Sequence, residues 1–352
     1  MNHAEFLFFT VFISLILAVL LLDLGVFEKK NHVVKFRQAL RMTILWVAVS
    51  LCFYLFLVFF GHMIHIGSNG SQGDIRLLIE KYGHPIKTEH LTYAEALSRY
   101  NHNLALEFLT GYLIEKSLSV DNIFVMVMIF MAFGVEQRYY RRVLLWGILA
   151  AIVLRFIFIF SASALILKFS WMLYVFGLLL IYTGIKMFIT RNTNEQIDVA
   201  HHPVVKFASR RFPVYPTFLR QHFFVKVNGK WFITPLFLVL LVIEFSDLIF
   251  AVDSIPAIFS VTKDPYIVFF SNVFAILGLR AMFFLVVNVI DLFRYLKTGL
   301  AFLLVFIGAK MLVNHAWLDR IGFDTLDSLM IIAGILSISI LLSVLFPEKK
   351  PL

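Results

Sequence analysis

The sequence predicts an all-α, polytopic membrane protein. Of its 352 residues, 61% are hydrophobic and 40 are Phe, with a mean hydropathy of +0.88. The apolar residues fall in blocks of about 17 to 25, the length that crosses a hydrocarbon core of about 30 Å. The formal net charge of +9 lies mostly in short loops between those blocks, where Lys and Arg set topology; no nucleic-acid partner is expected, and the lipid bilayer is. The one cysteine, Cys52, sits in an apolar block and excludes an internal disulfide framework or a cysteine-cluster metal site. Met1-Asn-His-Ala-Glu5 has no positive n-region, and no small-residue cleavage site follows the apolar run. The first block therefore reads as a retained span.

In chain order the periodicity predicts about nine spans, at 6–27, 42–66, 104–133, 143–167, 171–189, 232–258, 267–290, 296–313 and 328–346. The first two form an N-terminal helical hairpin within 1–66. Residues 67–103 form an extracytoplasmic loop that ends in Thr92-Tyr-Ala-Glu95, a capping-box spacing that starts a helix leading into the third span. Residues 190–231 form a cytoplasmic loop ending in an alternating stretch around Asn228-Gly229, which predicts a β-hairpin. A last helix and tail occupy 314–352. The loops carrying Lys29, Lys30, Lys35, Arg37 and Arg41, then Arg138, Arg141 and Arg142, then Arg210, Arg211 and Arg220 all fall on one side. By the positive-inside rule, the N-terminus lies outside and the C-terminus in the cytoplasm.

An internal repeat organises the middle of the chain. Glu115 to Asn122 lies over Asp247 to Ser254, with an acidic residue, a six-residue step and Val-Asp in both; Ala150 to Arg155 lies over Ala275 to Arg280, and Gly184 to Met187 over Gly308 to Met311. Residues 104–189 thus repeat as 232–313. Three spans per copy is an odd number, so the second copy enters from the opposite side. A three-plus-three inverted repeat is a common plan for secondary transporters.

Five acids stand within the apolar blocks: Glu115, Asp121, Glu244, Asp247 and Asp253. Each costs roughly 2.5 to 3.5 kcal/mol at a helix centre if nothing compensates, which makes an intramembrane carboxylate a functional candidate. At 1.5 Å per residue, Glu115, Glu244 and Asp247 fall near the midplane, with Asp121 toward the cytoplasmic face and Asp253 toward the outer one. Pro256 predicts a break near Asp253 that frees backbone carbonyls. Asn122, Ser254 and Asn272 add neutral oxygens. An inventory of oxygen donors without thiolate or midplane imidazole suits a hard divalent cation such as Mn²⁺, Ca²⁺ or Mg²⁺. The histidines, His62, His65, His201 and His202 among them, read as interfacial residues and not metal ligands. Arg155, Arg280, Lys116, Lys186 and Lys310 are near or within spans, so some acids serve on a plainer reading as partners in buried ion pairs, with Arg155, Arg280 and Lys116 as candidates.

Leu22 to Phe27, Glu115 to Asn122, Glu244 to Ala257 and Asn272 to Arg280 resemble the TerC family, most closely its Alx-like bacterial branch, and the resemblance runs from about residue 5 to about 346. It implies a bacterial inner-membrane protein that exports Mn²⁺, with the acids of both motifs carrying the metal; the family name comes from tellurite resistance. Alternating access is the expected mechanism, with proton exchange on the same carboxylates as a source of coupling. No permanently bound cofactor and no enzyme activity are expected. The competing readings are a membrane scaffold in a tellurite or metal stress-response complex and, more weakly, an intramembrane aspartyl protease.

Overall fold

A computed structural model of the chain describes residues 3–25, 36–66, 71–88, 90–169, 171–190, 202–219, 221–227, 229–287, 295–313, 323 and 325–345. Its helices are α1 (His3–Gly25), α2 (Phe36–Phe60), α3 (Gln72–Tyr82), α4 (Tyr93–Ala132), α5 (Gln137–Lys168), α6 (Met172–Thr190), α7 (Pro203–Arg211), α8 (Pro235–Phe259), α9 (Pro265–Leu277), α10 (Leu279–Val287), α11 (Leu296–Leu312) and α12 (Thr325–Leu345). The described strands are β1 (Phe224–Val227) and β2 (Lys230–Ile233). Large apolar side chains face outward along the long helices, Ile44, Leu55 and Phe59 on α2 and Leu178, Tyr182 and Ile189 on α6. In water such a surface would be an association or aggregation site; in a bilayer it is the lipid-facing side.

Five described helices are long and apolar enough to cross a membrane, and the bent pair α9 and α10 makes a sixth. Shorter apolar stretches, Glu5–Val19 and Thr298–Leu312, lie in α1 and α11. The sequence-based figure of nine spans exceeds what length and apolarity alone support among the described residues. Part of the difference is α4, which is 40 residues long but carries Glu107, Glu115, Lys116 and Asp121.

Local chemistry sets several boundaries. The Thr92 side chain accepts the Glu95 amide while the Glu95 carboxylate accepts the Thr92 amide at 2.9 Å, and α4 runs unbroken from that cap into the membrane region. A second capping box, Ser71 with Asp74, starts α3, and Gly83 in the left-handed region (φ 64) ends it. The 67–103 segment therefore holds more helix than Thr92-Glu95 alone suggests. The hairpin pairs Phe224 with Ile233 and Val227 with Lys230, and Gly229 takes φ 79, as a tight two-residue turn requires.

Two backbone expectations are corrected. Helix α8 is continuous through Pro256 to Phe259, so the break expected near Asp253 is absent: the proline lies in the last turn, where it removes one hydrogen bond just before the helix ends. The discontinuity lies one helix later, at Gly278, where α9 and α10 meet at 42°. Lys116 fills that bend. Its Nζ donates to the Ala275 carbonyl at 3.3 Å, and a Cβ at residue 278 would stand 2.5 Å from the same nitrogen. A cation at a helix C-terminus satisfies an orphan carbonyl and complements the helix dipole.

Helices α6 and α11 pack antiparallel at close range through small residues. A Cβ on Gly308 would lie 2.6 Å from the Gly177 carbonyl, and one on Gly184 would lie 2.8 Å from the Ala301 carbonyl. The offset that lays Gly184 over Gly308 also lays Gly177 over Ala301, so the two contacts exchange under the repeat alignment. Aromatic packing fixes the first two helices to α9: Phe12 sits 4.3 Å from Phe270, and Phe53 4.7 Å from Phe274 and 5.0 Å from Phe108 (ring centroids).

At the end of the bundle near residues 61–103, His65 is buried between two acids. Its Nδ1 lies 2.9 Å from Glu5 Oε1 and its Nε2 2.7 Å from Asp264 Oδ2. Asp264 Oδ1 also accepts the Tyr266 amide at 2.9 Å, and the Tyr266 hydroxyl donates to Glu5 Oε2 at 3.4 Å. His65 is thus a buried bridge and not the interfacial residue expected. Burial alone would lower its pKa, but the carboxylates of Asp264 and Glu5 outweigh it and raise the value to about 9. The neighbouring Asp264 is held below its ordinary value because His65 more than offsets its burial.

Two predictions follow from these contacts. Gly308→Ala forces a methyl against the α6 backbone and is expected to destabilise the protein by about 1 to 3 kcal/mol in detergent, whereas Gly334→Ala, with nothing within 4 Å of its added Cβ, is neutral. The folded pKa of His65 lies above its unfolded value. Its contribution, on the order of 3 kcal/mol, is therefore full below about pH 6.5 and lost as pH rises through about 9. Thermal unfolding between pH 6 and 10 is expected to show that loss in the wild type and a flat, lower profile in His65→Gln; a wild-type midpoint that does not move across the window removes the bridge from the account.

Candidate functional site

Four helices converge on one buried guanidinium. Arg155, on α5, is 1% exposed. Its Nη1 donates to Glu115 Oε1 on α4, to Asn272 Oδ1 on α9, and at 3.3 Å to Ser254 Oγ on α8. Its Nη2 donates to Asp247 Oδ1, also on α8, at 3.3 Å. Asn122 Nδ2 reaches the same Asp247 oxygen at 3.4 Å, and Asn272 is itself oriented by its Nδ2 bond to the Val268 carbonyl at 3.0 Å. Glu115, Asp247, Asn122, Ser254 and Asn272 are all buried. Glu115 and Asp247 are counterparts in the repeat alignment, as are Asn122 and Ser254, so each half supplies one acid and a neutral polar side chain two turns further on.

The site is under-satisfied. Glu115 Oε2, Asn122 Oδ1 and Glu244 Oε2 are buried oxygens without a hydrogen-bond partner, and Arg155 Nε is a buried donor without one. An unpaired buried polar atom costs about 1 to 3 kcal/mol and calls for a reason. Two ionised carboxylates against one guanidinium also leave the centre one negative charge in excess, in surroundings where charge is weakly screened. Such a centre favours a further cation or proton.

Glu244 stands one turn before Asp247 on α8. Its Oε1 lies 3.0 Å from where a Cβ at Gly147 would be, so the missing side chain on α5 makes its room. Glu244 and Asp247 line a narrow cavity of about 10 Å³ with Met126, Gly147 and Arg280, space for about one water.

The expected residues divide into three groups. Glu115, Asp247, Asn122, Ser254 and Asn272 come together around Arg155, with Glu244 beside them. Asp253 stands apart: it is half-buried and accepts from Thr183 Oγ1 on α6 at 3.1 Å. The side chain of Asp121 lies outside the described residues. Arg155 is the ion-pair partner expected of it, Lys116 serves the α9 carbonyl end, and Arg280 is half-buried at the cavity. Among the described residues, no three carboxylate, imidazole or thiolate groups converge to hold a metal ion; in this arrangement the guanidinium stands between the acids. Sequence reasoning missed Thr183, Gly147 and a second polar cluster, in which His84 Nδ1 lies 2.8 Å from Glu107 Oε1 and Asn103 Nδ2 donates to the same oxygen at 2.7 Å. Only the Asn103 to Glu107 spacing, one helical turn, was available as a signal.

Removing one member of a buried ion pair leaves the other uncompensated. Arg155→Met, which strands both Glu115 and Asp247, is therefore expected to cost about 3 to 5 kcal/mol in detergent unfolding, and adding Glu115→Leu to it to recover part of that loss. Additive single and double effects would show that Glu115 and Arg155 do not act as a unit.

The model for the integral membrane protein TerC family matches residues 100–351. An uncharacterized membrane protein of Myxococcus xanthus is 42% identical over 340 residues, covering 97% of this chain and 92% of its own. Proteins of Salmonella typhi and Escherichia coli K12, named provisionally as a membrane-bound redox modulator, Alx, are 42% and 41% identical over 335 residues, with coverage of 95% and 92%. No solved structure matches. The match over most of the chain, carrying both acidic motifs, makes this protein a member of the TerC family of integral membrane proteins.

Proposed function

We propose that the chain is a transporter that exports a divalent metal cation, Mn²⁺ by preference, through alternating access across a bacterial inner membrane. The observation that carries this reading is the buried centre in which Glu115 and Asp247, one from each half, meet neutral oxygens of Asn122, Ser254 and Asn272 while three oxygens remain unpaired. Carboxylate, amide and hydroxyl oxygens are the donor set of hard cations. The metal is cargo, held by Glu115, Asp247 and Glu244 with those neutral oxygens. Asp121 and Asp253 serve as carboxylates on the two approaches.

The exchanged contacts between α6 and α11, and the pairing of repeat counterparts at the centre, support an inverted-repeat plan in which one half rocks against the other. Export as the direction, and an N-terminus outside with a C-terminus in the cytoplasm, follow from the family resemblance and from the Lys and Arg distribution. Protons compete with the metal for the same carboxylates and so provide a coupling ion. The chain has a single cysteine, exposed on α2, so a redox effect of the kind in the Alx name would not come from an internal dithiol; it would follow from altered metal supply.

The test is total cell manganese by elemental analysis after a Mn²⁺ load, in cells holding matched membrane amounts of wild type, Asp247→Asn or Asp253→Asn. Lower manganese with the wild type alone is the expected outcome. Equal manganese in all three retires the exporter and leaves the non-transporting scaffold as the reading to pursue.

A further inference from the structure

We propose that Arg155 is a tethered counter-cation: its guanidinium occupies the oxygens that the transported ion takes, the ion and the guanidinium exclude one another, and the return of Arg155 drives the ion out. This inference rests on the transport reading above and goes beyond it by assigning a role to a residue that the reading leaves as a structural partner.

The geometry behind it is the identity of the donors. The four oxygens that receive the Arg155 N–H groups are two carboxylates, one amide carbonyl and one hydroxyl, contributed by three helices around a fourth. That set of carboxylate, amide and hydroxyl oxygens is also what a hard divalent cation takes. The acids are apposed across the repeat, and the guanidinium keeps them from closing on a common point. The unpaired atoms are of matching sign. Glu115 Oε2 and Glu244 Oε2 are acceptors lacking a donor at the rim of the same centre, so further cation coordination is available there. Arg155 Nε is unpaired, so the head is held through Nη1 and Nη2 alone, by the four bonds to Glu115, Ser254, Asn272 and Asp247.

Charge bookkeeping allows the exchange. Glu115 and Asp247 with Arg155 carry one excess negative charge when both acids are ionised; a dication in place of the guanidinium neutralises the two acids and leaves the displaced guanidinium to pair with a neighbouring carboxylate such as Glu244. When the ion leaves, the carboxylates would be uncompensated in a medium that penalises such charge heavily, and the returning guanidinium removes that penalty. Arg155 is thus a positioning residue for the empty state. It lowers equilibrium affinity for the ion and speeds its release.

The experiment uses the purified full-length protein and Mn²⁺ as the probe. Equilibrium binding is measured for wild type, Arg155→Ala and Arg155→Gln, each shown to be monodisperse, together with Mn²⁺ turnover in proteoliposomes and the effect of added guanidinium chloride on both. The neutral variants are expected to bind Mn²⁺ roughly tenfold more tightly than wild type and to turn over roughly tenfold more slowly, because the change lies in release. Free guanidinium is expected to compete with Mn²⁺ in the variants and to restore part of their turnover, with little effect on wild type at the same concentration. A structural role alone does not produce that rescue. Arg155→Gln retains hydrogen bonding in the centre and serves where Arg155→Ala does not fold. Weaker or unchanged Mn²⁺ binding in a folded neutral variant, or no competition by guanidinium, overturns the counter-cation and leaves the transport reading standing. No Mn²⁺ binding to wild type or to either variant removes both.

Discussion

A charge inside a bilayer has no water to fall back on, and in this chain that constraint is concentrated on Arg155. Its guanidinium is fully enclosed and draws one acid from α4, one from α8 and an amide from α9. Removing any of them exposes the rest to a low-dielectric penalty. The meeting of α4, α5, α8 and α9 is consequently fixed by electrostatics as well as packing. The polar groups around the centre follow from it: Asn122 reaches Asp247, and Asn272 is aimed by the backbone of its own helix.

Around that centre the packing is of two kinds. Toward α1 and α2 it is bulky and aromatic, with Phe rings of α1, α2, α4 and α5 tilted or edge-on against the α9 rings. Between α6 and α11 it is thin, with backbone against backbone at Gly177, Gly184 and Gly308. Small-residue contacts of this type let helices approach closely in a membrane where no hydrophobic force drives them together.

Much of this was legible in the sequence because it follows from local rules. Hydropathy blocks give helices, the Thr92 and Glu95 spacing gives the start of α4, and the alternation before Gly229 gives the hairpin. Glu115, Asp247, Asn122, Ser254 and Asn272 stand out in the sequence as polar residues inside apolar blocks, and the structure brings them around Arg155. What could not be read is contact between distant segments. His65 looks interfacial until Glu5 and Asp264, 60 and 199 residues away, are seen against its ring. Pro256 suggested a break, but its effect depends on how much helix follows it, and here three residues do. The bend at Gly278 has the opposite logic: a glycine is unremarkable in an apolar run until Lys116, from another helix, is found filling its space.

The His65 bridge also bears on how the chain is made. Glu5 enters with the first helix, yet its partner His65 arrives after the second helix, and Asp264, the second acid on His65, after the eighth. At about 5 to 20 residues per second, the interval between the synthesis of His65 and that of Asp264, 199 residues on, is roughly 10 to 40 s. For that time the bridge lacks its second acid. Final docking of the amino-terminal helix is therefore completed from the far half of the polypeptide, and a chain stopped before residue 264 would lack both the second acid of the bridge and the α9 rings against which Phe12 packs.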